Sequence, residues 1–234
     1  MEDHFIEVRD GEEVATTHHE TNSDKWVFFC HGFGSDKEGS YEKRCERIVK
    51  EGWNAVRFDF RGNGESSGEF IDQTLSSKIE DLKAVVDYFE PSKYCFFGSS
   101  FGGKVAFHAS EELEPEMIIG RAPVTYKDIM EKYRAVVDNK GEFTHHEGAT
   151  IDQKFFKDFD NYSFQQISDI EIPVAIFHGR EDTTVHPEKS IEASKELKTN
   201  TMLQLLEEED HSFSNKAEDY MLSQMVSWLR NNGF

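Results

Sequence analysis

Ser100 sits in Gly98-Ser99-Ser100-Phe101-Gly102, a G-x-S-x-G arrangement. An apolar run, Tyr94-Cys95-Phe96-Phe97, precedes it, and the run Phe101–Ser110 reads as a short helix. A strand turning sharply into a helix lifts such a hydroxyl clear of the sheet, and small flanking residues let the backbones crowd there. The helix N-terminus that follows offers free N–H groups and a positive dipole end to developing negative charge. A serine hydroxyl is a weak nucleophile until a base takes its proton. Asp182 follows the apolar run Val174–His178, and His211 follows Thr201–Leu206. Both therefore fall at the C-terminal ends of predicted strands, the edge where open α/β sheets place their sites. In that arrangement Ser100 attacks an acyl carbon, His211 takes and returns the proton, and Asp182 holds the imidazole tautomer.

Other residues compete for these roles. Glu181 is the alternative acid. His186 lies in the same loop as Asp182, just before Pro187, and is a poorer base. His31 and His178 each precede a glycine at a strand end, which suits a structural or site-lining role. His108 lies on the helix after Ser100 and either packs or is exposed. Asp59 reads as a structural carboxylate in the loop after its strand, and Asp210 points away from its neighbour His211. The pairs His18-His19 and His145-His146 lack a ligand spacing, so no metal is expected. A tetrahedral intermediate needs donors for its oxyanion, each worth about 3–4 kcal/mol. The backbone N–H of Phe101 is one candidate. The N–H of Phe33, in His31-Gly32-Phe33-Gly34-Ser35, is the other, against the reading of a plain glycine-rich turn.

The elements that position these residues alternate along the chain. Phe5–Arg9 and Val14–His18 read as an opening hairpin through Asp10-Gly11. Lys25–Cys30, Asn54–Phe60, Tyr94–Phe97, Met117–Gly120, Val174–His178 and Thr201–Leu206 read as strands. Helical spacing joins Tyr41, Cys45, Ile48 and Val49; it also joins Leu75, Ile79, Leu82, Val85, Val86 and Phe89. Ile191–Leu197 is helical, and Lys216–Leu229 forms a final helix with Tyr220, Met221, Val226 and Leu229 inward. This predicts an α/β fold with a mostly parallel central sheet flanked by helices. The interval 120–168 breaks the rhythm and carries Tyr126, Tyr133, Phe143, Phe155, Phe156, Phe159, Tyr162 and Phe164. It is too long for a loop. It reads as a cap inserted into a core made of 1–119 and 169–234, its aromatics either lining a pocket or gluing the cap to the sheet.

The 234 residues carry 46 acids against 26 bases, a formal net charge of −20. Such a field repels nucleic acid and anionic membrane surfaces as partners and mildly disfavours anionic substrates. With 37% hydrophobic residues and 20 Phe, the chain can still build a core, which excludes wholesale disorder. No 18-residue apolar run or secretory leader is visible, so neither a transmembrane helix nor membrane insertion is expected. Three cysteines at unrelated spacings form no metal pattern. Cys30 and Cys95 sit in apolar runs and read as buried reduced thiols, pointing to a cytoplasmic location. Monomer and homodimer both stay open.

HGFGS from His31, DFRGNGESSG from Asp59, GSSFGG from Gly98, GREDTTVHP from Gly179 and EDHSF from Glu209 occur in that order. Together they resemble the α/β-hydrolase superfamily of serine hydrolases, from about Lys25 to Leu229. The chain looks most like its small cinnamoyl/feruloyl esterases and monoacylglycerol-lipase-like esterases. The resemblance implies the α/β-hydrolase fold, with a sheet of eight strands, a short cap after the sixth strand and no cofactor. It carries the nucleophile, acid and base onto Ser100, Asp182 and His211, and the oxyanion donors onto Phe33 and Phe101. It makes RGNGESSG structural. The implied activity is a serine carboxylesterase acting on small to medium acyl or aromatic esters through an acyl-enzyme. Thioesterase, aminopeptidase-like and acyltransferase chemistry would use the same residues. A non-catalytic ligand-binding protein on the same fold is the reading from another class. Serine at the turn, where a carboxylate would be needed, disfavours dehalogenase or epoxide hydrolase chemistry.

Overall fold

Residues 1–145 and 148–234 are described by a computed structural model; His146, of the second histidine pair, lies outside them. Strands β1 (Glu2–Arg9) and β2 (Glu12–His19) form the opening hairpin, and β3 (Lys25–Cys30), α1 (Ser40–Val49) and β4 (Asn54–Phe58) follow. Next come α2 (Leu75–Phe89), β5 (Lys93–Ser99), α3 (Phe101–Leu113) and β6 (Met117–Arg121). The excursion after β6 holds α4 (Glu131–Lys140), β7 (Glu142–Thr144), β8 (Thr150–Asp152), α5 (Gln153–Phe159) and α6 (Phe164–Ile167). The chain then returns through β9 (Val174–Gly179), α7 (Pro187–Glu196), β10 (Thr201–Leu206) and α8 (Asn215–Asn231).

Eight strands pair in the order β1-β2-β4-β3-β5-β6-β9-β10. Only β2 runs against its neighbours, β1 and β4; the remaining pairs are parallel. Successive side chains of a strand face opposite ways, and β3 shows the consequence. Phe28 and Cys30 join the core under α2 and α3, with Leu82 and Val105. Val27 and Phe29 join the other core, with Cys45 of α1 and Met225 of α8. Both faces are thus covered, as a parallel sheet requires. Each Phe buried in these layers contributes roughly 1.5–3 kcal/mol.

Three elements differ from the sequence reading. Helix α7 begins at Pro187, four residues before Ile191, because proline's fixed φ suits the first helical position. Tyr220 faces outward from α8, 44% exposed, where Gln204 Nε2 donates to its hydroxyl at 2.5 Å. The excursion contains a two-stranded antiparallel sheet, β7 with β8, whose three-residue strands are too short to show a period.

Most of the excursion's aromatics are packing groups. Phe155, Phe156, Phe159 and Phe164 are buried in the same core as α2 and α3. Asp158 accepts hydrogen bonds from the backbone and hydroxyl of Ser76, and Tyr162 pairs with the same hydroxyl at 2.6 Å, tying α5 to the start of α2.

Candidate active site

The C-terminal ends of β3, β5, β9 and β10 lie on one edge of the sheet because these strands are parallel. Ser100 leaves β5 with φ 52° and ψ −118°, a left-handed conformation that costs on the order of 1–3 kcal/mol for a residue bearing a side chain. The turn is held by backbone bonds: Ser100 N–H donates to the Arg121 carbonyl at 2.9 Å, and Val124 N–H donates to the Ser100 carbonyl at 2.9 Å. Glycine is required beside it. A Cβ on Gly98 would lie 2.5 Å from the Gly102 carbonyl oxygen, and one on Gly102 would lie 2.3 Å from that of Cys30. Gly32, in turn, packs against the Ser100 side chain. The crowding places the loop after β3 directly beside the serine hydroxyl.

Asp182 lies in the turn after β9 and is buried. Its Oδ1 accepts from the N–H groups of Thr184 (2.8 Å) and Val185 (2.9 Å). Its Oδ2 lies 2.7 Å from His211 Nδ1. Burial alone would favour the neutral acid, but hydrogen bonds from His178, His211 and the Val185 backbone hold the carboxyl well below the usual carboxylate range. An ionised acceptor facing Nδ1 fixes the proton there, leaving Nε2 of His211 free to act as a base. His211 and Ser100 line one cavity of about 410 Å³, within the size range of small-molecule sites. Neither the Phe33 nor the Phe101 N–H donates to another group of the described residues. Both residues line the same cavity.

A serine hydrolase family model, described as serine aminopeptidase S33, matches residues 21–143, just over half of the chain. The chain belongs to this hydrolase family. The hydrolase is 25% identical over 214 residues to the mitochondrial palmitoyl-protein thioesterase ABHD10 of Mus musculus, covering 84% of this chain and 72% of that protein. Among solved structures it is similar to a putative hydrolase from Agrobacterium vitis (TM-score 0.86, 23% identity, 97% of each chain). It is likewise similar to Est1E from Butyrivibrio proteoclasticus with ferulic acid bound (TM-score 0.85, 21% identity, 98% of each chain). These neighbours establish the α/β-hydrolase fold.

The other sequence candidates separate clearly in the hydrolase. Glu181 and His186 are exposed. Asp210 caps the Ser212 N–H at 2.7 Å, away from the imidazole. Asp59 accepts from the Lys37 N–H (2.6 Å) and the Glu65 N–H (3.0 Å), and Arg61 is enclosed by Asp81, Glu12 and Glu80; these contacts belong to the scaffold. His31 accepts the Phe60 N–H at Nε2 (3.0 Å) and faces the Gly32 carbonyl at Nδ1 (2.8 Å). Burial pushes it down to about 3, so it stays neutral. His108 is buried against the Tyr162 ring. No helix among the described residues is long and apolar enough to cross a membrane.

His178 is structural, as its strand-end position suggests, but its pairing with Asp182 escaped the sequence reading, as did two cavity arginines. The imidazole of His178 is completely buried, with Nε2 3.1 Å from Asp182 Oδ2 and 2.8 Å from the Val185 carbonyl. Both partners are acceptors, so Nε2 carries a proton, and Nδ1 pairs with Ser190 Oγ at 2.7 Å. The four-residue spacing from His178 to Asp182 was the available signal. Arg44 and Arg121 also line the cavity, and no local pattern marked either. The excursion adds Ile129, Met130, Tyr133 and His145 to its wall.

Proposed function

We propose that the protein is a serine carboxylesterase acting on small to medium acyl or aromatic esters. The observation that carries this reading is the 2.7 Å contact between His211 Nδ1 and Asp182, on an imidazole that shares its cavity with Ser100. Ser100 Oγ attacks the acyl carbon while His211 Nε2 takes its proton. The N–H groups of Phe33 and Phe101 receive the negative charge that forms on the carbonyl oxygen. The intermediate collapses, His211 returns the proton to the leaving alcohol, and an acyl-serine remains. Water, deprotonated by His211, then attacks the ester carbon and releases the acid. Asp182 stays ionised throughout and stabilises the imidazolium. The three buried free thiols suit a reducing compartment such as the cytoplasm.

Thioester hydrolysis is the second reading, favoured by the likeness to the palmitoyl-protein thioesterase. It uses the same steps with a thiol as leaving group.

Intact-mass spectrometry after fluorophosphonate exposure tests the machinery without a substrate guess. One adduct on the wild type, absent from Ser100→Ala, is expected. No adduct on folded wild type sinks the proposal. Rates on matched ester, thioester and aminoacyl amide substrates then rank the chemistries, and a dominant amide rate removes the esterase reading.

A further inference from the structure

Resting on the esterase reading, we infer that the cavity holds a subsite for a carboxylate carried by the substrate within a few bonds of the scissile carbonyl. The chain has 20 more acidic than basic side chains, yet no Asp or Glu lines this cavity among the described residues, while Arg44 and Arg121 do. Both guanidiniums are nearly buried and share one carboxylate behind them. Arg44 Nε donates to Glu218 Oε1 at 2.6 Å and Arg121 Nε to Glu218 Oε2 at 3.2 Å. Within this triplet one positive charge is left in excess; the site's other ionised group, Asp182, stands behind His211 and does not line the cavity.

That excess sits against the reacting serine. Arg44 Nη1 donates to Ser99 Oγ at 3.3 Å, one residue before the nucleophile. Arg121 receives the Ser100 N–H on its own carbonyl, and its Nη2 donates to the Ser212 carbonyl, next to His211. Arg44 is flanked by the Tyr41 ring at 4.4 Å and Arg121 by the Phe213 ring at 4.3 Å, which hold the planar groups in place. Guanidinium stays charged even here, and two of them with a single acid are under-compensated in a poorly solvated site. An incoming carboxylate restores the balance and accepts paired N–H donors. Ser35, Ser40 and Ser212 add hydroxyls to the same wall. The negative field of the whole chain slows the approach of anions, but it is a long-range term that salt screens; the arginine excess acts at contact.

The test compares esters that differ only in this charge. Monomethyl succinate, with the carboxylate on the acyl side, is paired with methyl 4-methylpentanoate. O-acetylglycolate, with the carboxylate on the alcohol side, is paired with isobutyl acetate. Acid release is followed by pH-stat. Wild type is expected to favour the anionic member of at least one pair by about tenfold or more in kcat/KM, and the pair that responds identifies the side. Arg44→Met leaves Arg121 and Glu218 as a balanced pair and is expected to bring that ratio to near unity. Glu218→Gln enlarges the excess and should raise it. Succinate should also slow fluorophosphonate labelling of Ser100 in the wild type, a readout that needs neither turnover nor a variant. Labelling and succinate protection without ester turnover would end the esterase reading and keep the subsite. Ester turnover with no preference in either pair, or labelling indifferent to succinate, would overturn the subsite alone.

Discussion

His178 and His211 share one carboxylate oxygen: Asp182 Oδ2 lies 3.1 Å from Nε2 of the first and 2.7 Å from Nδ1 of the second. One imidazole opens onto the cavity and the other is sealed in the core. The buried one ends in a closed chain to Ser190, so it has no route to a substrate, and its part in the proposed mechanism is to position Asp182. His178→Gln is expected to lower kcat by about tenfold, with KM little moved, because a supporting contact of an acid typically matters less than the acid. His178→Ala strands the Ser190 hydroxyl and the Val185 carbonyl and should cost about 1–3 kcal/mol in urea unfolding. A kcat unchanged in both variants would make His178 a packing residue only.

Removing the surface-facing imidazole should be far more damaging. His211→Ala and Asp182→Asn are each expected to reduce kcat by on the order of 10³-fold or more, and their double variant by little beyond the larger effect. His186→Ala, at the exposed start of α7, should stay within about twofold of wild type. If His186→Ala is instead the inactive variant, the base has been misassigned. Steady-state kinetics on any turned-over ester decides.

Crowding at the turn yields a stability prediction. A Cβ at position 102 meets two backbone oxygens, those of Cys30 and His31, at 2.3 and 2.4 Å, and neither can move without dragging β3. Gly102→Ala should therefore destabilise by about 1–3 kcal/mol or more and disturb the Phe33 loop. Gly39 has nothing within 4 Å of a built Cβ but a φ of 61° and ψ of −113°, the region Ser100 occupies, so Gly39→Ala meets only a backbone penalty of about 1–3 kcal/mol and leaves the Phe33 loop undisturbed. A Gly102→Ala variant with the wild-type midpoint would contradict the packing argument.

Lys104 on α3 has no exposed surface; its ammonium meets the Thr125 carbonyl at 3.2 Å and the Phe159 ring at 5.1 Å. Burial pushes it down to about 7, against roughly 10.4 in an unfolded chain. Between these values the unfolded chain holds a proton that the folded chain has released. Stability from this group therefore rises with pH across that window, and the penalty is complete below its lower end. Lys104→Met is expected to raise Tm at neutral pH and to flatten the increase in unfolding free energy above it. Parallel pH profiles for variant and wild type would show that Lys104 keeps its charge in the fold.

Much of this protein is determined locally, and therefore legible in one dimension. The alternation of apolar runs with helical periods specifies an α/β sheet, because strand and helix periodicities are properties of neighbouring residues. The serine turn is equally local: Gly98, Ser100 and Gly102 lie within five positions. Parallel pairing puts the ends of β5, β9 and β10 on one edge, so strand ends alone predict that Ser100, Asp182 and His211 lie on the same side of the sheet. Elsewhere only the tertiary structure decided. Arg44 and Glu218 are 174 positions apart and Arg121 and Glu218 are 97 apart, and nothing in a charged residue's immediate neighbours announces that it will be buried. Their excess charge inside a strongly acidic protein appears only when α1, β6 and α8 meet. The partnership of His178 with Asp182 depends on a turn that brings the Val185 carbonyl to the same imidazole, and the three-residue strands β7 and β8 are too short for a period to mark. Periodicity records which way a side chain faces; what it meets there is a matter of the folded chain.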